Sequence, residues 1–273
     1  MTDAEIKDLL NRLTAKRVRI AQGPPVSSAS LNSLWDDYAL RQAHETTALE
    51  GNTLTLRETQ AVLERGVTIP GKSFREHLEV VNAHRTWAWL RPLAERGEQL
   101  LTETLVLEMH RRLMQGILED EAGFYRRTAV YIRGSFHVPP NWVKVPDLMA
   151  AWTARYAAGP GTEHPVRWVA QAHIDLVQIH PFLDGNGRTT RMVVNLLLGR
   201  EGYPPALYSA AERQTYLQAL EMADRGDARP FIAVTARAVE WTQDRWLGLL
   251  PPQREAGRAT RHPRQPPPPE WDR

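Results

Sequence analysis

Twelve consecutive residues, HPFLDGNGRTTR at positions 180–191, gather most of the groups that phosphate chemistry requires. His180 can take up a proton near neutral pH, and Asp184 can share a hard divalent cation with substrate phosphates. Gly185, Asn186 and Gly187 permit a turn whose successive N–H groups converge on an anion just before the next helix begins. Arg188 and Arg191 add two guanidiniums, whose planar forks suit phosphate oxygens. Together these groups describe phosphoryl or nucleotidyl transfer, with Mg²⁺ held between carboxylate and phosphates and a histidine accepting a proton from the attacking hydroxyl. The bland alternative is a loop between two helices whose arginines pair with core carboxylates. It explains each residue singly and their convergence poorly.

The elements that must position these groups are helical. Pro181 stops the preceding segment, VRWVAQAHIDLVQIH, at His180, because the residue before a proline is disfavoured from helix. The following segment, RTTRMVVNLLLGR, is apolar enough to be a central buried helix, and on it Arg188, Arg191 and Asn195 recur at i, i+3 and i+7 on one face. Two guanidiniums on a buried helix need anionic partners, since unpaired buried charge is costly. Ser/Thr-x-x-Glu/Asp capping boxes start further helices at Thr2 with Glu5, Ser33 with Asp36, Thr55 with Glu58 and Ser73 with Glu76. Apolar residues recurring at three and four predict more helices in TETLVLEMHRRLM, VPDLMAAWTARYAA, AERQTYLQALEMAD and PFIAVTARAVEWTQDRWL.

Only residues 128–140, TAVYIRGSFHVPP, alternate β-formers, around a plausible hairpin turn at Arg133, Gly134 and Ser135. The fold class expected is therefore all-α with one small β-hairpin. After Leu250 the text holds seven Pro and no Val, Ile, Leu or Met, which predicts a disordered tail, a solvated terminus rather than a docking ligand.

A second stretch imitates a phosphate site. GVTIPGKS at 66–73 fits the phosphate-loop pattern letter for letter, but the residues before it form a capped, charged helix and not a β-strand. Gly66 reads as a helix C-cap, Pro70-Gly71 as a turn and Ser73 as the next N-cap, so the match is accidental.

Composition narrows the classes further. The 273 residues contain no Cys, which excludes disulfides, thiolate metal sites and a Cys nucleophile. The net charge of +2 resides in the tail, leaving the body near neutral and without the basic excess of a nucleic-acid binder. With no apolar run of membrane length and no signal-peptide core, a cytoplasmic setting is expected. His173 lies two turns, about 10.5 Å, before His180, too far to share a zinc with Asp184. His137 in the hairpin reads as incidental. Trp35, Trp87, Trp89, Trp152 and Trp168, on predicted helices, read as core and not as a surface for stacking bases.

HPFLDGNGRTTR resembles the Fic motif H-x-F-x-[DE]-G-N-G-R-x-x-R at every specified position, and the likeness in segment order extends over about residues 30–240. The resemblance implies a helical Fic domain that transfers AMP from ATP to a protein hydroxyl. His180 would be the base, Asp184 would hold Mg²⁺ and Phe182 would anchor the loop. Gly185, Asn186 and Gly187 would line the anion hole, Arg188 and Arg191 would reach the β- and γ-phosphates, and Asn195 the ribose side.

TTALEGN at 46–52 is similar to the family's inhibitory signature, with Thr46, Glu50 and Gly51 in its fixed positions, on a helix of about 33–51. Glu50 would then pair with Arg191 in place of the γ-phosphate. In some relatives such a glutamate also positions a water that removes AMP. By the same resemblance the hairpin at 128–140 is the flap that takes a target protein as an added strand and presents a Ser, Thr or Tyr hydroxyl. The domains expected are a helical extension over 1–29, the Fic domain over 30–245 and the tail over 246–273. Some relatives dimerise, and a homodimer stays open. The alternatives are another nucleotide donor, a silent nucleotide-binding regulator, and a transcription regulator, for which no segment is long enough to supply a DNA-binding module.

Overall fold

The computed structural model of the chain describes residues 1–97, 101–132, 135 and 137–251. Among them ten α-helices and three short 3₁₀ turns account for the regular structure, and no strand occurs. The helices are α1 (Asp3–Gln22), α2 (Ser28–Ala48), α3 (Leu56–Arg65), α4 (Phe74–Arg96), α5 (Glu103–Met114), α6 (Val145–Ala157), α7 (Pro165–Ile179), α8 (Asn186–Arg200), α9 (Arg213–Asp224) and α10 (Arg229–Leu247).

Three of the expected capping boxes form with both reciprocal hydrogen bonds, at Thr2 with Glu5, Thr55 with Glu58 and Ser73 with Glu76. The fourth does not, because the cap of α2 lies six residues before Ser33. Pro24 and Pro25 interrupt the chain, and Ser27 beyond them caps α2 by accepting from the N–H of Ser30. Ser33 and Asp36 therefore stand inside the helix. The phosphate-loop lookalike has the local structure expected of it. Gly66 is a left-handed C-cap at φ 64°, Gly71 turns at φ 78° and Ser73 caps α4.

Helix α8 is the axis of the molecule. Every residue from 188 to 198 on it is buried, including two arginines, and α4 and α7 pack along its length with α5 and α2 beside them. A helix covered on all sides makes its polar residues the ones that need an explanation. Helix α10 packs against α1, α7 and α9, and Trp246 and Leu249 near its end join a small apolar cluster with Leu34, Tyr38 and Leu207. The tail at 252–273 lies outside the described residues, as do Arg133 and Gly134 of the expected hairpin turn. Among the described residues no helix is long and apolar enough to cross a membrane.

Candidate active site

The path from α7 to α8 is built by two uncommon backbone conformations and one side-chain lock. His180 ends α7 in the left-handed region at φ 50°, the only non-glycine residue with positive φ among those described. Gly185 caps α8 at φ 77°, which a side chain there would strain. Directly after Gly185, Asn186 locks the loop: its Oδ1 accepts from the N–H of Phe182 and its Nδ2 donates to the Phe182 carbonyl, both at 2.9 Å.

Phe182 is buried and stacks on His110 of α5, ring centroids 3.7 Å apart. The N–H of Gly123 donates to His110 Nδ1 at 2.9 Å, which makes Nε2 the protonated nitrogen, and Nε2 donates to the Asp184 carbonyl at 3.0 Å. Burial pushes the His110 pKa down to about 4, so this bridge is held by a neutral ring. Arg126 braces the other side. Its guanidinium donates to the carbonyls of His180, Thr128 and Pro140 at 2.8, 3.0 and 2.6 Å. One buried side chain thus ties the candidate base to both ends of the 128–140 segment.

His180 itself is pushed down to about 4, chiefly by burial and further by Arg126 and His137. The Val177 carbonyl and Glu50 favour the charged ring, but Nδ1 is buried with no partner in hydrogen-bond geometry, and desolvation prevails. At neutral pH the imidazole is therefore neutral, the form a general base requires.

Arg188 and Arg191 are both 2% exposed. Arg191 donates from Nε to Thr46 Oγ1 at 2.8 Å, from one terminal nitrogen to the Thr46 carbonyl at 2.8 Å and to Glu50 Oε1 at 2.7 Å, and from the other to the Tyr216 hydroxyl at 3.2 Å. Burial alone would lower its pKa; Tyr216 and Glu50 outweigh burial and raise it. Tyr216 in turn meets Nε2 of the buried, neutral His173 at 2.9 Å.

Arg188 lies 3.2 Å from Glu79 Oε1 on α4 and donates to Asp184 Oδ1 at 3.0 Å. The Glu79 contact is a charge contact without hydrogen-bond geometry, so Nε and one terminal nitrogen of Arg188 are buried N–H groups left unpaired. Asp184 also accepts from Arg75 and from the N–H of Gly185. Burial would raise its pKa, but Arg188, Arg75 and that N–H hold it below the usual carboxylate range.

Glu50 sits in the turn after α2, its side chain 39% exposed, with Gly51 at φ 102° beyond it. Its carboxylate lies over the start of α8. A Cβ placed on Gly187 would fall 2.2 Å from Glu50 Oε1 and 2.9 Å from a guanidinium nitrogen of Arg191. No side chain caps α8, so its N-terminal N–H groups and dipole face the same place. An anion position made of a helix start, a glycine that leaves room and a buried arginine is filled by the chain's own carboxylate.

The loop therefore brings His180, Asp184, Gly185, Asn186, Gly187, Arg188 and Arg191 together, and α2 brings Thr46, Glu50 and Gly51 to Arg191. Asn195 is not among them. Seven residues carry it about 10.5 Å down the axis of α8 from Arg188. There its Oδ1 accepts from the N–H of Ala206 at 2.9 Å, and the side chain lines a separate recess. Glu79, Arg75, His110, Arg126 and Tyr216 are site residues that no motif marks. Only Arg75 and Glu79, an i,i+4 pair on a capped helix, left a local trace.

A nucleoside triphosphate with Mg²⁺ fits this donor set. The buried Nε–H of Arg188, which has no partner, and an uncapped helix start suit anionic oxygens. Among the described residues no cluster of three metal-binding side chains occurs. One ionised carboxylate, Asp184, suits a Mg²⁺ that takes its other ligands from phosphates and water.

Comparison with known proteins bears on the family and the fold. The family model described as the Fic/DOC family matches residues 100–198. Curated relatives named "Protein adenylyltransferase Fic" include one from Nematostella vectensis, 34% identical over 88% of this chain and 56% of its own length. Another, from Drosophila ananassae, is 37% identical over 81% of this chain and 44% of its own. The chain thus spans about half the length of the curated relatives it matches. Among solved structures, a fragment of Fic-1 from C. elegans is 33% identical with a TM-score of 0.79, covering 90% of this chain and 72% of that one. A Fic-domain protein from Bacteroides thetaiotaomicron, 24% identical, shares the fold at a TM-score of 0.76 over 88% of this chain and 97% of its own.

Proposed function

The chain belongs to the Fic/DOC family, and from that premise we propose that it transfers AMP from ATP to a hydroxyl side chain of a target protein, held in check by Glu50. The observation that carries the proposal is the placement of the Glu50 carboxylate 2.7 Å from Arg191 and against Gly187, where a terminal phosphate would otherwise be bound.

His180, neutral and fixed by its left-handed backbone and the Arg126 clamp, takes the proton from the target hydroxyl. That oxygen bonds to the α-phosphorus, the bond to the β-phosphate bridge breaks, and pyrophosphate leaves. The N–H groups at the start of α8 and the Arg188 guanidinium offset charge on the departing oxygens. Arg191 reaches the terminal phosphate once Glu50 lets go. Asp184, released from Arg75, would hold Mg²⁺, which supplies charge neutralisation and in-line alignment of the phosphates when bound. With Glu50 in place, ATP binds displaced, and about an ångström at the reacting atoms is enough to suppress transfer.

The target docks at 128–140, whose ends are held by Arg126 and where Tyr131 and Val138 are 88% and 70% exposed. AMP removal is a second use of the same site. Glu50 Oε2 accepts no hydrogen bond among the described residues, so it is free to orient a water.

Self-labelling with ATP carrying the label at the α- or at the γ-phosphate tests the proposal in Glu50→Gly protein. Label from the α position alone, lost when His180→Ala is added, is expected. Transfer of the γ label, or α labelling that survives His180→Ala, would overturn it.

A further inference from the structure

Asp184, the carboxylate that suits Mg²⁺, already meets two guanidiniums of the chain, and the two are not equivalent. Its Oδ1 accepts from Arg188 at 3.0 Å and from the N–H of Gly185. Its Oδ2 accepts from one donor among the described residues, a terminal nitrogen of Arg75. Arg188 is 2% exposed on α8 and cannot leave without stranding a buried charge. The Arg75 side chain is 53% exposed near the start of α4 and can turn to water. Oδ2 is therefore the oxygen a metal ion would take, and Arg75 is the cation in its way.

Arg75 is aimed by its own helix. Its Nε donates to Glu79 Oε1 at 3.0 Å, an i,i+4 contact on α4, while the terminal nitrogen crosses to Asp184. Glu79 is buried, accepts from Asn52 at 3.0 Å and lies 3.2 Å from Arg188. The Arg75 guanidinium thus stands between two carboxylates, and losing Asp184 would leave it paired with Glu79.

A guanidinium and Mg²⁺ compete for one carboxylate oxygen. Mg²⁺ holds its oxygens at about 2.0–2.1 Å in near-ideal octahedral geometry, and a second cation on the same oxygen is repelled. An exposed charge pair changes an equilibrium by about fivefold at most, so it raises the metal requirement without closing the site.

We infer that Arg75 occupies the cation position of the site and sets how much Mg²⁺ the site needs, as Glu50 occupies the anion position. The inference rests on the nucleotide reading proposed above. An arginine that bound phosphate directly would favour nucleotide with or without metal. One that competes with the metal opposes only the metal-loaded form.

Binding of α,β-methylene-ATP, whose carbon bridge does not break in AMP transfer, separates these cases. Calorimetry on full-chain Glu50→Gly protein, with Mg²⁺ and with EDTA, is compared with the same protein carrying Arg75→Ala or Arg75→Lys. Arg75→Ala should tighten binding of the Mg²⁺-loaded nucleotide about fivefold and leave the metal-free nucleotide within about twofold. Arg75→Lys keeps the charge and should stay within about twofold of its parent for both. The same gain from Mg²⁺ in Arg75→Ala protein as in its parent would overturn the inference and leave the nucleotide site standing. Weaker binding of both nucleotide forms would also overturn it, by making Arg75 a phosphate ligand. Failure of all three proteins to bind nucleotide would overturn the nucleotide reading and the inference with it.

Discussion

Arg188 and Arg191 stand one turn apart on the same buried helix, equally shielded from water, and are neutralised in opposite ways. Arg188 faces Glu79, buried on the long helix α4, and Asp184, fixed by the loop that it helps to build. Arg191 faces one carboxylate, Glu50, which is half-exposed and carried on a single turn after α2. Three further contacts keep Arg191 in place without that carboxylate, two from Thr46 and one from Tyr216, which His173 in turn holds. The built-in pair belongs to the architecture, and the detachable one is the proposed switch. The difference lies in where the anion comes from and how much of the fold must move to remove it.

The largest expected effect follows from the detachable side. Glu50→Gly should raise the rate of AMP transfer by on the order of 100-fold, the scale of correcting an ångström-sized misplacement. The melting temperature should hardly change, because a half-exposed carboxylate contributes about 1 kcal/mol or less and Arg191 keeps its other partners. Thermal unfolding and α-label transfer on the same preparation check both halves.

The built-in side should answer the other way. Glu79→Gln removes the charge that faces Arg188 and leaves a single acceptor oxygen for the two donors, Asn52 and Arg75, that Glu79 now accepts from. It should cost about 2 kcal/mol of stability, somewhat less than full truncation of a buried pair, and should not activate transfer. Activation by Glu79→Gln would erase the distinction between the two arginines. Thr46→Ala lies between these cases. Losing one side-chain hydrogen bond to Arg191 should cost about 1 kcal/mol and loosen the inhibitory pair, raising transfer only a few-fold.

The smallest effect is a flat pH profile. A base must be neutral to act, and burial lowers His180 to about 4, so the neutral form persists well below the usual histidine range. The kcat/KM of Glu50→Gly protein for target should stay level from pH 8 down to about 5.5 and fall only as pH approaches 4. An acid limb near 6.5 would contradict a desolvated His180.

Much of this was legible in the sequence where chemistry is contiguous. Twelve residues hold the candidate base, the acid, the glycines and both arginines, and Pro181 announces the break that presents them. Gly66 and Ser73 were legible for the same reason, since caps are local. The partners were not. Glu79, His110, Arg126 and Tyr216 come from four other places in the chain, and no spacing rule relates them to the loop.

Asn195 shows how a periodicity argument fails. It shares an angular face with Arg188, but the axial rise carries it out of reach and into a separate recess. Ser33 shows the same for capping. It satisfies the box with Asp36, yet the helix begins at the first hydroxyl beyond the two prolines. The alternation at 128–140 predicted strands, and among the described residues the segment has none. What organises it is a buried arginine clamping its ends, a tertiary contact that alternation cannot encode.

The most direct test of the switch is the rate of α-labelled AMP incorporation by wild-type and Glu50→Gly protein, measured side by side with equal ATP and Mg²⁺. A rate higher by on the order of 100-fold in Glu50→Gly protein is the predicted result. Equal rates in two proteins that both incorporate label would contradict the assignment of Glu50 as the anion that keeps Arg191 from its phosphate.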